Sequence, residues 1–172
     1  VLVRVQAPDP DPTTTKQRKP YHLSLVIDRS GSMSGEPLLE AVRCARHIID
    51  RLAATDVASL VVFDDRVKTL VPAKPVGQRK ALHSALARIH SGGSTNLHGG
   101  WKAAMETLLP QAGKASLSRV ILLSDGNANV GETTATDEIA ACCAEAAEQG
   151  VSTSSYGLGR DFNEELMVEM GK

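Results

Sequence analysis

Aromatic side chains are scarce in this 172-residue chain, with two Phe, two Tyr and one Trp making up 3% of it. That scarcity excludes stacking platforms for single-stranded nucleic acid and leaves the core to Leu, Val, Ile and Ala. Net charge is scarce as well. Nineteen Lys and Arg against twenty Asp and Glu leave −1, which provides no whole-chain field to gather nucleic acid or an anionic membrane. A partner must therefore be recognised locally. No apolar run approaches the ~20 residues of a membrane helix, so membrane insertion by this segment is not expected. The three cysteines, Cys44, Cys142 and Cys143, lack the even count of a disulfide framework and the C-x-x-C spacing of a zinc site. They read as reduced helix residues, which favours a reducing, cytoplasmic compartment. A chain that opens at Val1 inside an apolar-alternating stretch gives no view of a leader segment.

What is present is globular: 42% hydrophobic and 23% charged residues, in a length that suits one domain with a full core. Residues 1–20 divide into a short alternating strand (Val1, Val3, Val5) from an upstream region and a Pro- and Thr-rich linker. The compact domain is expected over residues 21–172. There, strand-length apolar runs (Leu23 to Ile27, Val57 to Phe63, Val67 to Val71, Arg119 to Ser124, Val151 to Tyr156) alternate with helical spacing. The predicted helices are one with the stripe Leu38, Val42, Ala45, Ile49 and Leu52, then Gln78 to Ile89, Leu97 to Leu109, Asp137 to Glu148 and Asn163 to Met170. The short Asp64-Asp65-Arg66 turn predicts one antiparallel hairpin, with Asp64 and Asp65 as turn residues. Such alternation predicts a Rossmann-like, doubly wound, mostly parallel α/β sheet with helices on both faces, in the order 3-2-1-4-5. Trp101 is expected in the core, and His98 is expected as an exposed residue at a helix start.

In such sheets ligands bind outside the carboxyl ends of the strands, at the switch between the first and fourth. Asp28, Ser30 and Ser32 follow the first strand, Thr95 lies in a glycine-rich loop before a helix, and Asp125 closes the fourth strand. All are oxygen donors. Hydroxyls and carboxylates without thiolate or imidazole suit a hard cation, and so sparse a set fits Mg²⁺, which keeps several waters, with Mn²⁺ or Ca²⁺ as alternatives.

Asp28-Arg29-Ser30-Gly31-Ser32, with Thr95 in Gly-Ser-Thr-Asn and Asp125 in Ser-Asp-Gly, resembles the metal-ion-dependent adhesion site of von Willebrand factor A domains. The resemblance covers roughly residues 21 to 172. It implies that the two serines bind the metal directly, the threonine directly or through water, and the aspartates mostly through water. It also implies a protein partner that presents Asp or Glu to the metal, as in adhesion modules or in subunits that deliver a client to an ATPase. Neutral hydroxyls leave the ion electrophilic, which is a physical reason for a carboxylate partner. Domains of that family continue with a further strand and helix, so the terminal strand and helix are expected to be missing here. The edge beside the fifth strand is then expected to be exposed, or covered by Val1 to Val5 or by a neighbouring molecule. Met33, Ser34 and Gly35 stand where integrin-type relatives carry additional acids, so one metal is expected.

The rival class is a metal-dependent hydrolase or phosphoryl-transfer enzyme, because an aspartate after the first strand beside Mg²⁺ also serves that chemistry. The second residue after Asp28 is Ser30 rather than an acid, and Met33 stands at the centre of Gly31-Ser32-Met33-Ser34-Gly35. Asp28 therefore opens no D-x-D pair and the Gly31 to Gly35 run is no nucleophile elbow, so a non-enzymatic binding module is expected.

Overall fold

Apolar runs with no polar alternation form strands that must be covered on both faces. That is how β1 (Tyr21–Asp28), β2 (Val57–Phe63) and β4 (Leu117–Ser124) lie in the computed structural model, which describes residues 18–77, 79–113 and 116–172. The Val1 to Val5 strand and the linker up to residue 17 fall outside the described residues. With β3 (Val67–Pro75) and β5 (Val151–Gly157) these strands form one five-stranded sheet in the order β3-β2-β1-β4-β5. Only the β2–β3 pair is antiparallel, as the short turn requires.

The helices divide between the faces. Leu25 and Ile27 pack with Leu38, Ala41, Ala45 and Ile49 of α1 (Glu36–Arg51) and with Leu82, Ala85 and Leu86 of α2 (Lys80–Leu86). Val26, Val61, Phe63 and Leu122 face the other way. They meet Leu97, Trp101, Ala104 and Leu108 of α3 (Leu97–Leu108), Ile139 and Cys143 of α4 (Thr136–Glu148), and Leu166 and Met167 of α5 (Glu164–Glu169). Trp101 is buried as expected, and its indole N–H donates to Thr153 Oγ1 at 2.9 Å. The doubly wound sheet is therefore the architecture of the chain.

Two boundaries differ from expectation by more than two residues. β3 continues past Val71 to Pro75 because β2 still offers Ala58 and Val57 as partners, across a register irregularity that absorbs Pro72. α2 ends at Leu86 rather than Ile89. The two faces are also unequally covered. On the α1–α2 face, Leu117, Arg119, Ser152, Ser154 and Tyr156 line a depression of about 480 Å³ together with Tyr21 and Leu23. The Arg119 guanidinium spans it, donating to Ser152 Oγ and Ser154 Oγ at 3.0 and 2.9 Å. β5 pairs with β4, and among the described residues no strand lies on its outer side. The three cysteines are free. Among the described residues no helix is long and apolar enough to cross a membrane.

Candidate metal site

β1 and β4 run in parallel register, Ile27 opposite Leu123, so their carboxyl ends emerge side by side and carry Asp28 and Asp125 to the same edge of the sheet. Asp28 is fully buried. Its Oδ1 accepts from the backbone N–H of Ser30 at 2.8 Å, turning the chain sharply out of β1. Its Oδ2 accepts from Ser124 Oγ at 2.5 Å, and Ser124 Oγ in turn accepts from Gly126 N–H at 2.9 Å. That chain of bonds ties the β1 loop to the β4 loop. Ser30 is buried and its Oγ lies 3.2 Å from the Oγ of Ser32, which is exposed. The two hydroxyls thus form a step from the interior to the surface.

The loop bearing Thr95 is pinned from both sides. Gly31 N–H donates to Gly93 O at 3.0 Å and Gly92 N–H to Arg29 O at 2.8 Å, joining it to the serine loop. Thr95 N–H donates to Asn129 Oδ1 at 2.8 Å, while Thr95 O accepts from the backbone N–H groups of Asn129 and Val130. Asn129 stands four residues after Asp125, so the loop that carries Asp125 also holds Thr95. Gly93 has φ +68°, and a Cβ there would stand 2.1 Å from Asp65 Oδ1. Only glycine lets this loop pass so close to the β2–β3 turn.

Asp28, Ser30, Ser32, Thr95 and Asp125 therefore all sit on hydrogen-bonded loops at one end of the sheet, on the strands and helix that the sequence assigns to them. Burial pushes the Asp28 carboxyl up to about 6, against the hydrogen bonds from Ser124 and Ser30, and the neighbouring Asp125 adds to the rise. Among the described residues no Lys, Arg or His side chain pairs with Asp28 or Asp125. Nor do three His, Cys, Asp or Glu side chains gather there as a metal-binding group, so any cation site at this edge draws on hydroxyl oxygens.

Three further residues serve the site without standing out in the sequence: Ser124, Asn129 and Asp64. Asp64 is more than a turn residue. Its Oδ1 accepts from Arg66 N–H at 2.8 Å, its Oδ2 lies 2.7 Å from the Arg29 guanidinium, and its carbonyl accepts from Asn96 N–H. His98 corrects an expectation. It is 6% exposed rather than open to solvent, because the 129–132 loop, fastened to Thr95, roofs the start of α3.

These features define a class: a doubly wound α/β domain whose oxygen-donor loops converge at the carboxyl end of a parallel sheet. The model of the von Willebrand factor type A domain matches residues 22–172, and the chain belongs to that family. It is similar to an uncharacterised protein of Synechocystis, 29% identical over 97% of this chain and 38% of the relative. It is also similar to mouse inter alpha-trypsin inhibitor heavy chain 4, 32% identical over 95% of this chain and 18% of the relative. The chain thus spans well under half the length of these relatives. Among solved structures, the fold is shared with manganese-loaded TRAP protein of Plasmodium vivax (TM-score 0.72, 16% identity, 88% of this chain and 62% of that one). It is shared too with mussel byssus proximal thread matrix protein 1, whose MIDAS motif is occupied by zinc (TM-score 0.74, 18% identity, 89% of this chain and 41% of that one).

Proposed function

We propose that Asp28, Ser30, Ser32, Thr95 and Asp125 hold one divalent cation, Mg²⁺ before Mn²⁺ or Ca²⁺, and present it to an Asp or Glu of a protein partner. The observation that carries this is Asp28: a fully buried carboxylate, close to Asp125, with hydroxyl donors around it and no cationic side chain in contact among the described residues. A buried carboxylate needs a counter-charge. A cation supplies it, and with neutral serine and threonine oxygens nearest to it, the ion retains enough charge to attract a carboxylate from outside. Ser32, exposed beside buried Ser30, keeps the site open on the solvent side. The metal-loaded sites of the structurally similar TRAP and byssus proteins support a divalent ion at this place. Mg²⁺ is preferred on donor chemistry, since few hard oxygen ligands and retained water suit a small octahedral ion.

The Ser30 hydroxyl has the Ser32 hydroxyl and the Asp28 carboxylate as neighbours, and among the described residues no histidine pairs with that carboxylate, which favours coordination over nucleophilic attack. The chain's part is to bind and orient. Ser124 and the Ser30 backbone hold the Asp28 carboxylate, and Asn129 fixes the Thr95 backbone. The test is calorimetric titration with Mg²⁺, followed by affinity capture of partners with Mg²⁺ or with EDTA. Ser30→Ala and Asp125→Ala should each lower Mg²⁺ affinity about 10–100-fold while the protein stays folded, and Asp28→Ala should abolish metal-dependent capture. Partner retention unchanged by EDTA and by all three substitutions would refute the proposal.

A further inference from the structure

Beyond the oxygen-donor edge, the same two loops build a second feature. Thr95 lies two residues before α3 begins at Leu97, and His98 is the second residue of that helix. The loop that begins at Asp125 reaches Glu132 after its backbone is fastened to Thr95 through Asn129 and Val130. Between α3 and α4 lies a groove of about 340 Å³ floored by Trp101 and Met105. Its rim carries three carboxylates, Glu132, Glu138 and Glu145, against one ammonium, Lys102.

Lys102 Nζ is already engaged, 2.7 Å from Glu132 Oε2. Two carboxylates at the rim are therefore left without a cation from this chain among the described residues. His98, 6% exposed and packed at 6.2 Å against the Trp101 ring, lines the same groove. Its Nδ1 is buried with no hydrogen-bond partner, and the nearest carboxylate oxygen, Glu132 Oε2, is 3.7 Å away, too far for a hydrogen bond. Burial holds this imidazole below its ordinary pKa, which favours the neutral ring, with one nitrogen as acceptor. A ring nitrogen in that state wants a donor. Glutamates at the rim want a cation, and an apolar floor wants an aliphatic stem. One side chain supplies all three: arginine, whose planar fork of N–H donors serves carboxylate and imidazole together.

We propose that the α3–α4 groove receives an arginine side chain from the same protein partner whose carboxylate reaches the oxygen-donor edge. The assignment of that partner rests on the proposed metal-dependent function; the cation preference of the groove does not. Joining an acidic and a basic anchor converts two weak contacts into one specific contact, because the second forms at high effective concentration.

Trp101 is the only tryptophan, so its indole N–H resonance reports on the groove without ambiguity. The experiment is an NMR titration of the protein in EDTA with Nα-acetyl-arginine amide, and with the citrulline analogue as the uncharged isostere. The arginine probe should shift the Trp101 indole and His98 ring signals saturably. The citrulline probe, and the Glu132→Gln/Glu138→Gln protein titrated with arginine, should bind at least fivefold more weakly. Absence of a saturable shift, equal binding of both probes, or undiminished binding by a folded Glu132→Gln/Glu138→Gln protein would each overturn the proposal. Because EDTA is present throughout, such failure would leave the metal-dependent function standing. Conversely, failure of Mg²⁺ to bind would not account for a silent groove.

Discussion

Asp56 closes the amino end of the sheet as Asp28 closes the other, with the opposite electrostatic outcome. It is buried between β1 and β2, and its two oxygens accept from the Arg18 guanidinium at 2.8 and 2.5 Å, from Tyr21 N–H at 2.9 Å and from Ala53 N–H at 2.7 Å. The Arg18 hydrogen bonds first, then those from the backbone, hold its carboxyl down at about 2 against the opposing effect of burial. A carboxyl with a folded pKa below its unfolded one contributes stability that is complete above about pH 4 and lost as pH falls through the folded value. The expected result is a steep fall in melting temperature between pH 4 and pH 2. Asp56→Asn should flatten that fall while costing about 2 kcal/mol at pH 7. Thermal melts of both proteins across this range check it, and an unchanged acid profile would show that the contacts do not carry the acid sensitivity. The Arg18–Asp56 pair was not legible in the sequence, because 38 residues separate its members and nothing local marks either. By contrast, the placement of Asp28, Ser30, Ser32, Thr95 and Asp125 at one end of the sheet was legible, since strand ends and spacing put them there. Ser124, Asn129 and Asp64 act through partners dozens of residues away and were not.

Among the elements, α3 approaches the sheet closely at Gly100. A Cβ at Gly100 would stand 2.4 Å from Phe63 Cδ1, so the absence of a side chain is what lets this helix settle on β2. Glycine is otherwise a poor helix residue, and its presence mid-helix is explained by this approach. Gly100→Ala should force α3 outward or turn Phe63 from its rotamer, costing about 1–3 kcal/mol despite the gain in helix propensity. Denaturant unfolding would measure it, and a stabilised variant would show that α3 has room to spare. The helix stripes were readable from periodicity: of Leu97, Trp101, Ala104, Met105 and Leu108, all are buried except Met105, which is half-buried. Periodicity says nothing of what lies above a helix end. The misplacement of His98 follows from that: packing on Trp101 and the loop from β4 to α4, held on Thr95, bury it together.

For the whole molecule, the two margins of the sheet have unlike chemistry. β3 carries Lys68, Lys74, Pro72 and Pro75, and charges and prolines of this kind discourage a foreign strand from joining an edge. β5 reads Val-Ser-Thr-Ser-Ser-Tyr-Gly, with no charge and no proline, and its outer side is unpaired among the described residues. The two margins therefore differ in their defences: one carries charges and prolines that block a foreign strand, and the other carries none. Tyr156, 52% exposed near the end of β5, is the place to seal it. Tyr156→Lys should suppress any concentration-dependent association of the isolated chain in sedimentation experiments, whereas Lys68→Ser should promote association only through the opposite margin. If both proteins sediment as the parent does at every concentration, the β5 margin is not a site of assembly. If the expected asymmetry appears, molecules joined through β5 would keep their oxygen-donor edges free of the contact, since that edge lies at the strand ends rather than along the strand. Lateral assembly and ligand capture could then proceed on one molecule at the same time.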